Sequence, residues 1–84
     1  MLTVLYFAWL RERIGTDAEQ LEVPADVETL GQLAGWLAAR SPAHAAAFAD
    51  ISRIRAALDQ QFAAFQAPIA GAREVAFFPP VTGG

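Results

Sequence analysis

Cysteine and lysine are absent from this 84-residue chain, and histidine occurs once, as His44. Without a thiol there is no disulfide framework, no thiolate nucleophile and no cysteine-ligated metal. One histidine also excludes a His-rich centre, so no metal site is expected. The six basic residues are all arginines, no run of them would track a phosphate backbone, and the net charge is −3. Nucleic acid is therefore not an expected partner. Long apolar runs are missing too. The stretch MLTVLYFAWL meets charge at Arg11 after ten residues, too short for a membrane span, and no basic segment precedes it as in a signal peptide. The expectation is a soluble, cytoplasmic protein with no membrane segment.

What is present is apolar: 55% of the residues are hydrophobic, many of them alanine. A chain of this size buries only about 60–65% of its unfolded surface. One domain spanning residues 1–84 is expected, with surplus apolar surface for a partner to cover.

Leu2–Leu10 reads as a strand apolar on both sides, with Leu2, Val4, Tyr6 and Ala8 on one face and Thr3, Leu5, Phe7 and Trp9 on the other. Such a strand is central, with a helix on one face and something else on the other. Gly15 marks a turn, and a second strand follows near Glu19–Val23, stopped by Pro24. Asp26 is a plausible N-cap for a helix from Val27 to about Arg40, with Val27, Leu30, Ala34 and Leu37 on its apolar face. Gly31 and Gly35 each cost roughly 1 kcal/mol against alanine there, and their spacing suits close approach to a sheet. Ser41-Pro42 caps a short alanine-rich helix reaching about Asp50. A hairpin follows, with strands Arg53–Leu58 and Gln61–Phe65 turning at Asp59-Gln60. After the loop QAPIAGA, Arg73–Phe78 forms the last strand. The order β-β-α-β-β-β suits a mixed sheet packed on one main helix, an α+β arrangement. If the last strand pairs with the first, the fold is a β-grasp.

Catalytic constellations are missing from this pattern. His44 reads as a surface residue of an alanine-rich helix without evident partners. The nine carboxylates, Glu19 among them, are scattered over turns, caps and strand edges and read as solvated surface. No glycine-rich phosphate loop is present. What remains is the segment PPVTGG, residues 79–84, read as a projecting tail. Pro79 and Pro80 remove two backbone donors and so end sheet pairing, and polyproline geometry makes a stiff spacer. Gly83 and Gly84 allow close approaches that no other residue allows. A carboxylate at Gly84 with no side chain beside it could thread a narrow tunnel and, once activated as an acyl-adenylate, be attacked. That pattern suits a substrate or carrier rather than an enzyme.

VLYFAWLRERIGTD near the start and EVAFFPPVTGG at the end resemble the small-subunit family of molybdopterin synthase, and the resemblance covers nearly the whole chain. It implies a ubiquitin-like β-grasp sulfur carrier that binds no cofactor of its own. An ATP-dependent activating enzyme would adenylate Gly84, and sulfur would replace AMP to leave a thiocarboxylate. The large synthase subunit would take up the tail (Pro79, Pro80, Val81, Thr82, Gly83, Gly84) and pass sulfur to cyclic pyranopterin monophosphate. Two small subunits on a dimer of large ones is the assembly implied. Phe7, Phe62 and Phe78 match the family's partner-docking patch, whereas Phe77 alternates with Phe78 and reads as core. Trp9 either extends the patch or lies under the following loop. Arg11 also matches the pattern, and it either anchors the tail's neighbourhood or forms a surface ion pair. Arg73 departs from it, placing positive charge where relatives often have negative. A carrier for another pathway (thiamine, tRNA thiolation or cysteine synthesis) and a ubiquitin-like protein modifier are the alternatives.

Overall fold

The computed structural model describes residues 1–80. β1 (Leu2–Tyr6) leads into α1 (Trp9–Ile14), β2 (Ala18–Leu21), α2 (Leu30–Ala38) and α3 (Pro42–Ala47). A single 3-10 turn at Ile51–Arg53 precedes β3 (Arg55–Leu58), β4 (Gln61–Ala63) and β5 (Glu74–Phe78). The sheet order is β2-β1-β5-β3-β4. β5 lies parallel to β1 (Thr3 opposite Glu74, Tyr6 opposite Phe77) and antiparallel to β3 (Arg55 opposite Phe78). The first and last strands thus share the middle of the sheet, which is the β-grasp arrangement expected from the strand order.

Alternation along β1 and β5 assigns the two faces of the sheet. Val4, Tyr6, Val75 and Phe77 are buried with Leu30, Leu33 and Leu37 of α2 and with Ala47 and Phe48 at the end of α3. Fully burying one such aliphatic side chain is worth about 1.5–3 kcal/mol, so this single cluster accounts for most of the cohesion. Nothing among the described residues covers the opposite face: Phe7 is 46% exposed and Phe62 82%. The expectation of a second covering layer is corrected accordingly.

Several boundaries also differ from expectation. β2 ends at Leu21, α2 at Ala38, α3 at Ala47 and β4 at Ala63, each short of the expected limit. β3 starts at Arg55 because Arg53 belongs to the 3-10 turn. β1 stops at Tyr6, because the chain turns at Ala8 (φ 55°, ψ −132°) into α1. Leu10, expected at a strand end, is instead a fully buried residue of that helix. α1 ends on Gly15 in the left-handed region (φ 92°), where glycine has no Cβ penalty. α2 starts at Leu30, not Val27, and its cap is Thr29 rather than Asp26. The Thr29 hydroxyl accepts the Gln32 N–H while the Gln32 side chain accepts the Thr29 N–H, a reciprocal capping box. The next two donors, Leu30 N–H and Gly31 N–H, are taken by the carbonyls of Ala67 and Phe65. Gly31 does make a close approach, but to Phe65 and not to the sheet, and a Cβ on Gly35 would meet nothing within 4 Å. The Ser41 cap of α3 and the Asp59-Gln60 turn fall where expected.

Candidate functional site

The open face can be built row by row from the strand register. Leu5, Ala76, Ala57 and Phe62 lie opposite one another across β1, β5, β3 and β4. One pleat further on, Phe78 of β5 is level with Arg55 of β3, and Phe7, whose N–H donates to the Phe77 carbonyl, continues the row beyond β1. Alanines at the two central positions leave a depression that the three phenylalanines rim. The Phe62 and Phe78 rings meet at 5.6 Å between centroids, tilted by 40°, a tilted contact of the kind aromatic pairs favour over a face-to-face sandwich.

A groove of about 470 Å³ runs between Leu5, Phe7, Phe62, Ala76 and Phe78, with Gln60 and Glu74 at its margin. A second, of about 420 Å³, lies between Phe62, Phe78 and Arg55. The structure therefore brings Phe7, Phe62 and Phe78 around one surface. Arg11 does not line either groove; it is exposed on α1, and its carbonyl accepts the Gly15 N–H. Phe77 is fully buried, as expected.

Sheet pairing of β5 ends at Phe78, and Pro79 and Pro80 follow, half-buried, beside this face. Val81, Thr82, Gly83 and Gly84 lie outside the described residues. Another groove, of about 480 Å³, sits at the opposite end of the sheet among Met1, Leu2, Pro24 and Ile69, remote from the two prolines. Trp9 lies on α1 rather than on the strand face of Phe7, with the guanidiniums of Arg13 and Arg53 against its ring. Arg73 is exposed at the far end of β5, where its N–H and that of Glu74 donate to the Asp59 carboxylate.

His44 was expected at the surface and is instead buried, at 8% exposure. Its Nε2 lies 2.9 Å from Glu19 Oε2 and its Nδ1 2.7 Å from Ser41 Oγ, while the Tyr6 hydroxyl donates to the same Glu19 oxygen at 2.7 Å. Ser41, His44 and Glu19 thus stand in line, but on the helix-covered side of the sheet, opposite the aromatic face. Ser41 is occupied as the α3 cap, accepting the His44 N–H, so the set reads as a structural tie between β1, β2 and α3. Burial raises the Tyr6 phenol above its ordinary value, and the bond and charge of Glu19 add to that. For Glu19, burial alone would raise the carboxyl. The bonds from Tyr6 and His44, with the charges of His44 and Arg40, outweigh that effect and hold it below the usual carboxylate range. Sequence spacing hid this tie, since Glu19 and His44 are 25 residues apart.

No group of three His, Asp or Glu side chains able to hold a metal occurs among the described residues, and no helix among them is long and apolar enough to cross a membrane. The fold and the surface together define a ubiquitin-like β-grasp domain with an open aromatic sheet face beside the exit of its last strand. The ThiS family model matches residues 4–84, and the chain belongs to that family. It is 46% identical to the molybdopterin synthase sulfur carrier subunit of Escherichia coli K12 and 39% identical to that of Haemophilus influenzae. Both alignments span 84 residues, the whole of this chain and of each relative. Among solved structures, SAMP1 from Haloferax volcanii superposes with a TM-score of 0.71 over 99% of this chain and 98% of that one. At 24% identity this is a likeness of fold.

Proposed function

We propose that this chain is the sulfur carrier and non-catalytic small subunit of a molybdopterin synthase. The observation that carries the reading is its full-length similarity to two relatives bearing that name. The chemistry then belongs to Gly84. An activating enzyme joins the Gly84 carboxylate to the α-phosphate of ATP, releasing pyrophosphate. A sulfur nucleophile displaces AMP, and the resulting thiocarboxylate is the sulfur donor. The large subunit receives Pro79 to Gly84, supplies the catalytic groups and transfers sulfur to cyclic pyranopterin monophosphate for the dithiolene. The assembly is a heterotetramer, two small subunits on a central dimer of large ones, and the reaction is cytoplasmic. Phe7, Phe62 and Phe78 form the docking surface in this reading, with Arg11 outside the groove as a flanking polar contact. An aromatic cluster beside the tail's root suits a partner that must hold the domain while it takes in the tail.

The test is to incubate the chain with its activating enzyme, ATP and a sulfur source and weigh it intact. An oxygen-to-sulfur mass increase confined to the C-terminal peptide is expected, and its absence would overturn the reading. Deleting Gly84, or adding one residue after it, should abolish molybdopterin synthesis and leave the unfolding transition unchanged.

A further inference from the structure

Arg13 and Arg53 hold their guanidinium carbons 5.0 Å and 5.4 Å from the centroid of the half-buried Trp9 ring. They come from different elements, α1 and the 3-10 turn before β3, so the indole fixes two cations that the chain alone would leave loose. A guanidinium resting on an aromatic ring loses side-chain freedom but keeps its in-plane N–H donors for a partner. Among the described residues the one ion pair within 4 Å is His44 with Glu19, so neither arginine is matched by a carboxylate at that distance. Asp50 is near enough to Arg53 to feel its charge, but its carboxylate is already bonded to Ser52.

The cluster also lies at a charge boundary. Arg11, Arg13, Arg53 and Arg55 gather at the end of the sheet where Pro79 follows β5, against Glu12, Asp17 and Asp50. The other end, where Leu2 pairs with Leu21 and Thr3 with Glu74, holds Arg73 and the Met1 amino group amid acidic residues. A chain of net charge −3 is therefore polarised, with four of its six arginines at the end where Pro79 follows β5.

We propose that Trp9, Arg13 and Arg53 form a preorganised docking point for an acidic segment of the large synthase subunit. This rests on the carrier reading and extends the aromatic face by a charged flank. Continuity argues for a protein carboxylate. Trp9 follows Phe7 by two residues, and Arg53 precedes by two the Arg55 that lines a groove with Phe62 and Phe78. Trp9 itself lies on α1 beyond the turn at Ala8, so a partner seated on the phenylalanines must extend past the end of the sheet to meet the two guanidiniums. An arginine flank around an aromatic centre is ordinary interface anatomy. None of the grooves described above is lined by either arginine.

The experiment measures binding of the full chain to the large subunit from the same organism, at low and high salt. It compares the natural chain with Arg13→Gln/Arg53→Gln, Arg13→Glu/Arg53→Glu and Phe62→Ser, each checked for an unchanged unfolding transition. The glutamine pair should weaken binding about three- to thirty-fold at low salt, chiefly through a slower association rate, and flatten the salt dependence. Charge reversal should weaken it further. If both arginine pairs bind like the natural chain while Phe62→Ser does not, the charged flank is wrong and the carrier reading stands. If the natural chain does not bind the large subunit at all, both fail. A change confined to self-association of the chain, or to binding of the activating enzyme, would also overturn the proposal, since the acidic occupant would be another molecule.

Discussion

Glu19 Oε2 receives the Tyr6 hydroxyl and the His44 ring together, at 2.7 and 2.9 Å. A hydrogen-bond assignment that satisfies every group has His44 Nε2–H donating to Glu19, with Nδ1 accepting from the Ser41 hydroxyl. Because the folded carboxyl is held below its ordinary value of 4.5, its stabilising effect is complete above that pH. It disappears as pH falls through the lower, folded-state value. Glu19→Gln should therefore be less stable than the natural chain near neutrality, by about 1–2 kcal/mol for partly buried bonds to a charged group. The gap should close as urea unfolding is repeated below pH 4.5; a gap independent of pH would show that the charge contributes nothing. Ala8 invites a change of the opposite sign. Its φ of 55° with ψ −132° lies outside the regions open to residues with a Cβ, and the strain sits beside Phe7. Ala8→Gly should raise stability by about 1 kcal/mol in thermal unfolding.

At the level of elements, the first turn of α2 depends on one hydroxyl and one amide. Thr29→Ala removes the acceptor for the Gln32 N–H and should cost about 1 kcal/mol, read as a lower denaturant midpoint with an unchanged slope. Asp26, directly after Pro24-Ala25, was the expected cap, and the capping-box spacing of Thr29 and Gln32 was missed. The five strands, the main helix and their order were legible because the apolar periods of β1, β5 and α2 are clear, whereas α1 was missed. The end of β1 was not, since LYFAWL stays apolar through the turn at Ala8, and alternation alone continues it as a strand. The Asp59-Gln60 hairpin turn was legible despite weak chemistry. Both residues take positive φ, 47° and 71°, a geometry that Asn-Gly adopts more readily. The Asp59 carboxylate compensates by accepting the Arg73 and Glu74 N–H groups. The placement of Phe7, Phe62 and Phe78 on one surface was readable from motif and strand alternation. The Tyr6–Glu19–His44 tie was not, because it joins three elements that only the tertiary fold brings together.

For the molecule as a whole, one face of the sheet carries the core and the other is left open, and the proposed function assigns recognition to the open one. One face is sealed by α2 and α3, and fully buried Val4, Tyr6, Val75 and Phe77 carry the core. The other is open and rimmed by phenylalanines, and a monomer has no folding reason to hold Phe62 at 82% exposure. Substitutions on the two sides should therefore separate cleanly. Val75→Ala, on the sealed face, should lower stability by roughly 2 kcal/mol, because a fully buried side chain is cut back and leaves a cavity. Phe62→Ser, on the open face, should shift stability by no more than about 0.5 kcal/mol, as is usual for exposed positions. The same serine should weaken binding to the large subunit by about 2 kcal/mol or more, the loss typical when an aromatic anchor is cut from an interface centre. Chemical unfolding and a binding titration on the two variants read both quantities. If Phe62→Ser were as destabilising as Val75→Ala, or bound its partner normally, the open face would not be the docking surface. The exposed rim would then need another explanation.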